Sequence, residues 1–352
     1  MTDDDAVRNF FDATVACCIA STAAVPHTEG VEPPESEWPM TILVNADNFV
    51  RAETHRMLSD IQGEAGGVGR FRHNRTPASI DAQTVIRLNR DTLYSFAVVD
   101  LDRPARLTLP DAAGRYLSAM VVNEDHYVTG VIHQPGEHVL TSEQRGSRHV
   151  LVGVRILVDP RDAADVAAVS ALQDRLEIAA DAPELFVSPD YDVASLDATR
   201  NALLQLARGL DDFDRTFGTR DEVDPVRHLI GTAAGWGGLP TSEATYIGVD
   251  PGVPPGDYAL VFTDVPVDAF WSVSVYNARG FFEKNAQDLY TVNSVTAARD
   301  DDGSVTVRFL GSVGAETPAN AILTPDGWNY LIRLYRPRPE ILDGRWRPPT
   351  LR

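Results

Sequence analysis

Lysine is almost missing from this chain: of its 31 basic residues, Lys284 is the one lysine and arginine supplies the rest. Acids outnumber bases 51 to 31, for a formal net charge of −20. A molecule of that sign repels phosphodiester backbones and anionic headgroups, so neither nucleic acid nor a membrane surface is an expected partner. Cysteine is equally scarce. Cys17 and Cys18 are adjacent, and neighbours on a helix point about 100° apart, so they cannot bridge each other. Their spacing does not suit zinc either. No apolar run approaches the roughly 18–20 residues of a membrane span. The acidic start, Met1 to Asp5, lacks the positive region of a signal peptide, which predicts a cytoplasmic protein. A Gly-x-Ser-x-Gly elbow, a Walker loop and a strand-linked Gly-x-Gly-x-x-Gly are all lacking, so no cofactor is indicated and a nucleotide is not expected.

What is present is ordinary globular material, 43% hydrophobic and 23% charged over 352 residues, a length that predicts two domains. Val7, Phe10, Phe11, Thr14 and Cys18 recur with helical period, and a second helical pattern covers about 46–62. From residue 84 the period is that of β-structure, with strands expected at Thr84–Leu88, Leu93–Asp100, Arg106–Leu109, Arg115–Val122, Tyr127–Ile132, His138–Thr141 and His149–Val158. Helices follow at 163–178, 194–216 and 225–235, and strands resume at 258–263, 270–276, 291–298, 305–310 and 330–335. This predicts a mainly β chain of two antiparallel β-sandwiches, with helices at the N-terminus and between them. The expected layout is a helical segment (1–65), a first sandwich (66–180), a helical linker (181–250) and a second sandwich (251–352).

The two β-regions read as copies of one unit. Tyr116-Leu117-Ser118-Ala119-Met120-Val121-Val122-Asn123 aligns with Phe270-Trp271-Ser272-Val273-Ser274-Val275-Tyr276-Asn277. Each copy later reaches a strand with an arginine and a following proline, Arg155 before Pro160 and Arg333 before Pro337.

Asn89-Arg90-Asp91-Thr92-Leu93-Tyr94-Ser95, with Asp100-Leu101 and Gly114-Arg115-Tyr116, resembles the domain-of-unknown-function family numbered 1254. Phe270 to Asn277, Gly280-Phe281-Phe282, Asp302 to Thr306 and Leu334 to Pro337 resemble its usual C-terminal partner, the family numbered 1214. The resemblance covers about residues 40–350 and implies tandem jelly-roll sandwiches; it brings no accepted reaction. Glu283-Lys284-Asn285 stands where the family pattern leads one to expect an Asn-Pro-like turn.

Four groups of residues could carry chemistry. Asn89 and Asp91 share a strand face and could enter a cavity together with Tyr94, or cap a strand as a polar turn. Between Gly66 and Arg90, Arg70, Arg72, Arg75, Arg87 and Arg90 face a single acid, Asp81. Guanidinium groups suit phosphate or carboxylate, although surface ion pairs would use them equally. His126, His133, His138 and His149 fall within 24 residues but lack the His-x-His pattern of a cupin, so no metal is assigned. Lys284 follows an aromatic pair and reads either as a buried amine or as a solvated loop residue. Two readings stay open. In one, a hydrolase or binder takes a small anionic molecule, with Arg72, Arg75, Arg87, Asn89 and Arg90 as ligand-binding residues, Asp91 or His126 as acid or base, and Tyr94 orienting the substrate. In the other, the double sandwich is a non-catalytic module assembling into a symmetric homo-oligomer.

Overall fold

The computed structural model describes residues 41–83, 87–208, 210, 212–314 and 316–352. The expected helix near residues 3–18, with Cys17 and Cys18, lies outside them. The first half runs α1 (Phe49–Ala65), β1 (Arg72–His73), β2 (Thr92–Asp100), β3 (Ala105–Leu109), β4 (Leu117–Asn123), β5 (Val128–Ile132), β6 (Gly136–Leu140), α2 (Ser142–Arg145), β7 (His149–Leu157), α3 (Ala163–Gln173) and β8 (Glu177–Ala179). Helices α4 (Val193–Ala207) and α5 (Pro225–Gly235) follow. The second half is β9 (Ala244–Val249), β10 (Tyr258–Phe262), β11 (Trp271–Tyr276), β12 (Thr291–Asn293), β13 (Val305–Leu310), β14 (Ala321–Leu323), β15 (Asn329–Tyr335) and α6 (Pro339–Leu342).

The chain is mainly β, with helices between the sheet regions. A five-stranded sheet, β1-β2-β7-β4-β5, packs on the three-stranded β6-β3-β8; a four-stranded sheet, β12-β11-β15-β9, packs on β10-β13-β14. Within each of these sheets the neighbours are antiparallel, apart from the parallel pair β13 and β14. Strands β2, β4 and β7 are buried along their whole length, because the sheet they form is covered on both faces. One face, with Leu93, Val121 and Val152, meets Leu107, Leu109 and Leu140 of the smaller sheet. The other, with Tyr94, Phe96, Met120 and Leu151, meets Met57, Leu58 and Ile61 of α1 and also Phe270 and Tyr335 of the second half. The two sandwiches therefore join through their larger sheets. Helix α5 starts where sequence placed it: the Asp224 side chain accepts from the amides of Val226 and Arg227, with Pro225 in the first turn.

Several expectations need correction: the helix expected at 194–216 ends at Ala207 and the strand expected at 291–298 ends at Asn293. Residues 84–86 lie outside the described set, and Arg87 and Leu88 form no strand; Arg87 sits at φ 52, a left-handed turn. The helix expected at 163–178 ends at Gln173, and Glu177–Ala179 becomes an edge strand. Residues 244–249, expected inside the helical linker, are β9 of the second sandwich, where Tyr246 and Ile247 give it the β-branched and aromatic character of a strand.

The larger sheets of the two halves correspond over four strands. The order β2-β7-β4-β5 in one matches β9-β15-β11-β12 in the other, and the matched strands occur in the same chain order. Registers agree to the residue. Tyr94 pairs with Arg155, which pairs with Ser118; Tyr246 pairs with Arg333, which pairs with Ser272. Each half thus lays a Tyr–Arg–Ser row across three strands. Backbone bonds repeat as well: Val158 N–H donates to Asp91 O and Arg336 N–H to Glu243 O, both at 2.9 Å.

Candidate functional site at the seam between the sandwiches

The acid just before each row reaches into the opposite half. Asp91 is fully buried. Its Oδ2 accepts from Ser272 Oγ at 2.6 Å and its Oδ1 from Thr291 Oγ1 at 3.2 Å, both in the second half. Burial pushes the Asp91 carboxyl up, against the pull of Arg333 and the two hydroxyls. Its counterpart Glu243 accepts in turn from the first half, with Oε2 2.8 Å from His133 Nε2. Tyr116 and Phe270, which correspond, touch each other with ring centroids 5.3 Å apart. Such reciprocity is the pattern of a two-fold interface.

Around Asp91 the seam is dense with satisfied polar groups. Asn89 Nδ2 donates to the hydroxyls of Tyr94 and Tyr335, each at 3.0 Å, and Asn89 Oδ1 accepts from the Asp91 amide at 2.9 Å. Arg333 donates to Ser274 Oγ at 2.8 Å, Tyr276 Oη at 2.6 Å and the Arg87 carbonyl at 2.8 Å. Asn89 and Tyr94 meet directly, but residues 89–91 precede β2 and share no strand face: Asn89 makes the polar turn that caps the strand, the other reading of this motif, and its partners are protein groups of both halves.

The other residues marked in the sequence disperse. Arg72 pairs with Glu64 of α1 at 2.9 Å, and Arg75 pairs with Asp174 at 2.6 Å and donates to the Ser170 carbonyl at 2.7 Å. Arg90 donates to the Ala78 carbonyl and lies over the Tyr290 ring, 5.7 Å from its centroid. Arg87 lies elsewhere along the seam and lines a separate cavity with Tyr246. His126 is fully buried and stacks on Trp236. Its Nε2 accepts from the Gly237 amide at 2.8 Å, so Nδ1 carries the proton shared with Thr232 Oγ1, also at 2.8 Å. Burial, helped by His228, pushes this imidazole well below its ordinary value and keeps it neutral. His138 meets the Gln134 carbonyl and His149 the Glu184 carbonyl. Among the described residues no three His, Cys, Asp or Glu side chains gather as a metal set. Lys284 is an exposed partner of Asp81 at 2.7 Å, whose hydrogen bond raises its pKa, the reverse of what burial would do.

Beside His133, the partner of Glu243, the seam opens. A cleft of about 810 Å³ lies between the β3–β4 loop, the β5–β6 turn, the β7–α3 loop and residues 268–270, 295–296 and 336 of the second half. Its wall is Tyr116, Leu117, Leu157 and Phe270, and His133 sits in its lining. Burial pushes the Tyr116 hydroxyl up to about 12, so it stays a neutral donor to Ser118 Oγ at 3.0 Å. Five aspartates (Asp111, Asp159, Asp162, Asp165, Asp268) and two arginines (Arg115, Arg336) rim the cleft. Arg115 holds Asp165, and Arg338 holds Asp268 at 2.7 Å. Asp111, Asp159 and Asp162 each accept from a nearby backbone amide. Arg336, at φ 52, makes no side-chain hydrogen bond among the described residues.

Sequence reasoning missed Ser272, Thr291, Arg333, Glu243 and Tyr246 as members of this seam. The signal was there: Asp91-Thr92-Leu93-Tyr94 and Glu243-Ala244-Thr245-Tyr246 share acid-x-x-Tyr at the same distance before the matched strands.

Comparison with known proteins agrees with this architecture. Residues 68–146 match a protein of unknown function model, DUF1254, and residues 253–339 match another, DUF1214. A crystal structure of the VPA0106 protein from Vibrio parahaemolyticus is 17% identical over 87% of this chain and 97% of its own, with a TM-score of 0.67. A putative uncharacterized protein from Burkholderia cenocepacia is also 17% identical, over 87% of each chain, with a TM-score of 0.48. The first likeness speaks to the fold alone. No curated protein matches the chain. No helix among the described residues is long and apolar enough to cross a membrane. The chain therefore carries a DUF1254 region followed by a DUF1214 region, N-terminal and C-terminal respectively.

Proposed function

We propose that this protein binds a small polar molecule in the seam cleft, without performing hydrolysis there. The observation that carries the reading is the cleft itself, about 810 Å³ and walled by aromatic and aliphatic side chains at the junction of two sandwiches. Ligand sites favour such junctions and such volumes. The polar rim would orient the ligand. Counting the ion pairs, Asp111, Asp159 and Asp162 remain against Arg336, which favours an uncharged or cationic molecule over an anion. Binding is preferred to hydrolysis because Asp91 and His126 are both sealed from solvent. Both ring nitrogens of His133 are also engaged, one by Glu243 and the other by the Leu117 carbonyl at 3.0 Å.

The test is a thermal-shift screen of cationic, neutral and anionic small molecules, repeated on Val295→Trp. Val295 is exposed at the cleft mouth, so a larger side chain there obstructs the cleft without disturbing the core. A ligand that prefers the native state raises its apparent stability. Cationic or neutral hits that vanish in Val295→Trp support the reading. Hits that survive it refute the location. A blank screen with a concentration-dependent particle size favours the assembly module instead.

A further inference from the structure

The two acids that join the halves are held by donors of different kinds. Asp91 accepts from serine and threonine hydroxyls, which carry their protons throughout the neutral range. Glu243 meets an imidazole, the side chain whose proton count ordinarily changes between pH 5 and 8. His133 follows directly on β5 and faces an acceptor at each ring nitrogen: Nδ1 lies 3.0 Å from the Leu117 carbonyl and Nε2 lies 2.8 Å from Glu243 Oε2. Neither a carbonyl nor a carboxylate has a proton to donate. Both contacts are hydrogen bonds only while the ring carries two N–H groups. A neutral ring has one, so the other contact becomes lone pair against lone pair. The anchor across the seam is firm. The amides of Glu243 and Ala244 donate to the Pro240 carbonyl at 2.8 and 3.0 Å, and the Glu243 carbonyl holds the Arg336 amide at 2.9 Å.

We propose that His133 and Glu243 form a proton-operated clasp on the seam cleft, closed while the imidazole is doubly protonated and released when the second proton leaves. The sign follows from linkage: the closed clasp binds one proton more than the open one, so opening becomes easier as pH rises. Tyr116, its ring centroid 6.0 Å from that of His133, is pushed by burial up to about 12 and stays neutral; Arg155, Tyr246 and Glu243 act on it electrostatically. From the second half the cleft also receives Arg336 and Asp268, the latter held by Arg338. The first half adds Asp111, Asp159, Asp162 and the Arg115–Asp165 pair. Among the described residues of this lining His133 is the one histidine. Release frees Glu243 and with it the Arg336 backbone, whose residue forms part of the cleft rim. Occupancy of the cleft would then follow pH, a consequence that rests on the binding reading above; the clasp itself does not.

The experiment needs no ligand, so its failure is distinct from a failure of that reading. Nitrogen-15 NMR of the whole chain with labelled histidine follows both ring nitrogens of His133 from pH 5 to 8. Hydrogen exchange, corrected for the intrinsic rate, follows the opening at the Arg336 amide over the same range. His133 should pass from two N–H groups to one. In step with it the open population at Arg336 should rise about five- to tenfold, the worth of one partly solvated hydrogen bond. His133→Phe should leave the clasp open at every pH. Glu243→Gln should close it at every pH, because an amide N–H can donate to the unprotonated Nε2 while Nδ1–H keeps the Leu117 carbonyl. This near-isosteric variant keeps the test valid if His133→Phe does not fold. A ring with a single N–H at pH 5, an Arg336 opening that ignores pH, or a pH response that survives Glu243→Gln would each overturn the proposal.

Discussion

The two halves carry the same row of side chains, Tyr94–Arg155–Ser118 and Tyr246–Arg333–Ser272, and differ in what became of the acid that precedes it. Asp91 has no exposed surface and is satisfied by two hydroxyls of the other half. Glu243 keeps 22% of its side chain exposed and meets a single imidazole. Reciprocal contacts have thus produced an unequal seam, welded at one end and open at the other. The difference teaches where to look for function. A polar group fully satisfied by protein specifies how the halves dock, while the partly exposed counterpart pairs with His133, which lines the cleft that has room for something else.

The largest effect expected from this contrast is at the closed end. Asp91→Ala leaves the Ser272 and Thr291 hydroxyls in the buried seam without their acceptor, and stranding buried polar groups costs about 1–3 kcal/mol each. Denaturant melts should show that loss, and Asp91→Ala with Ser272→Ala should recover part of it. A loss below about 1 kcal/mol would mean the closed end is not a weld. Glu243→Ala should cost only about 1 kcal/mol, because its pair with His133 is partly solvated. A cost as large as that of Asp91→Ala would erase the distinction between the ends.

A smaller contrast appears in acid. Arg148 grips Asp100 at the end of β2 with two bonds, 2.9 and 3.0 Å, and holds that carboxyl well below the usual range, with help from the amides of Glu184 and Asp102. A depressed folded pKa contributes stability above the unfolded value of about 4 and loses it as pH falls through the folded one. The first half should therefore loosen in acid before the second, whose corresponding strand β9 stops at Val249. Tryptophan substitutes one probe: Trp328 reports on the second core and Trp236 on the first. Asp100→Asn should bring their acid transitions together; coincident transitions in the parent chain would contradict the assignment.

Much of this fold was legible because β-branched and aromatic runs such as Thr92–Asp100 and His149–Leu157 are strands in almost any context, and Asp224-Pro225 is a helix start by its own chemistry. Strand β9 was not. Thr245-Tyr246-Ile247-Gly248 is short and weakly patterned, and its pairing with β15 across more than 80 residues is what makes it a strand. At the site, the polar turn of Asn89 and Asp91 ahead of β2 was readable in the sequence. The Asp91 partners Ser272 and Thr291 were not, since no local pattern says which surface a distant strand will meet. The arginines of residues 70–90 misled for a related reason: nearness in sequence says little about convergence in space, and Arg72 and Arg75 left for different helices.

One pair of amides tests the unequal seam most directly. Val158 N–H donates to Asp91 O and Arg336 N–H to Glu243 O, equivalent bonds of 2.9 Å at the closed and open ends. Native-state hydrogen exchange should find Val158 exchanging only through global unfolding, and Arg336 through a local opening of much lower free energy. Equal protection of the two, or faster exchange at Val158, would contradict the account.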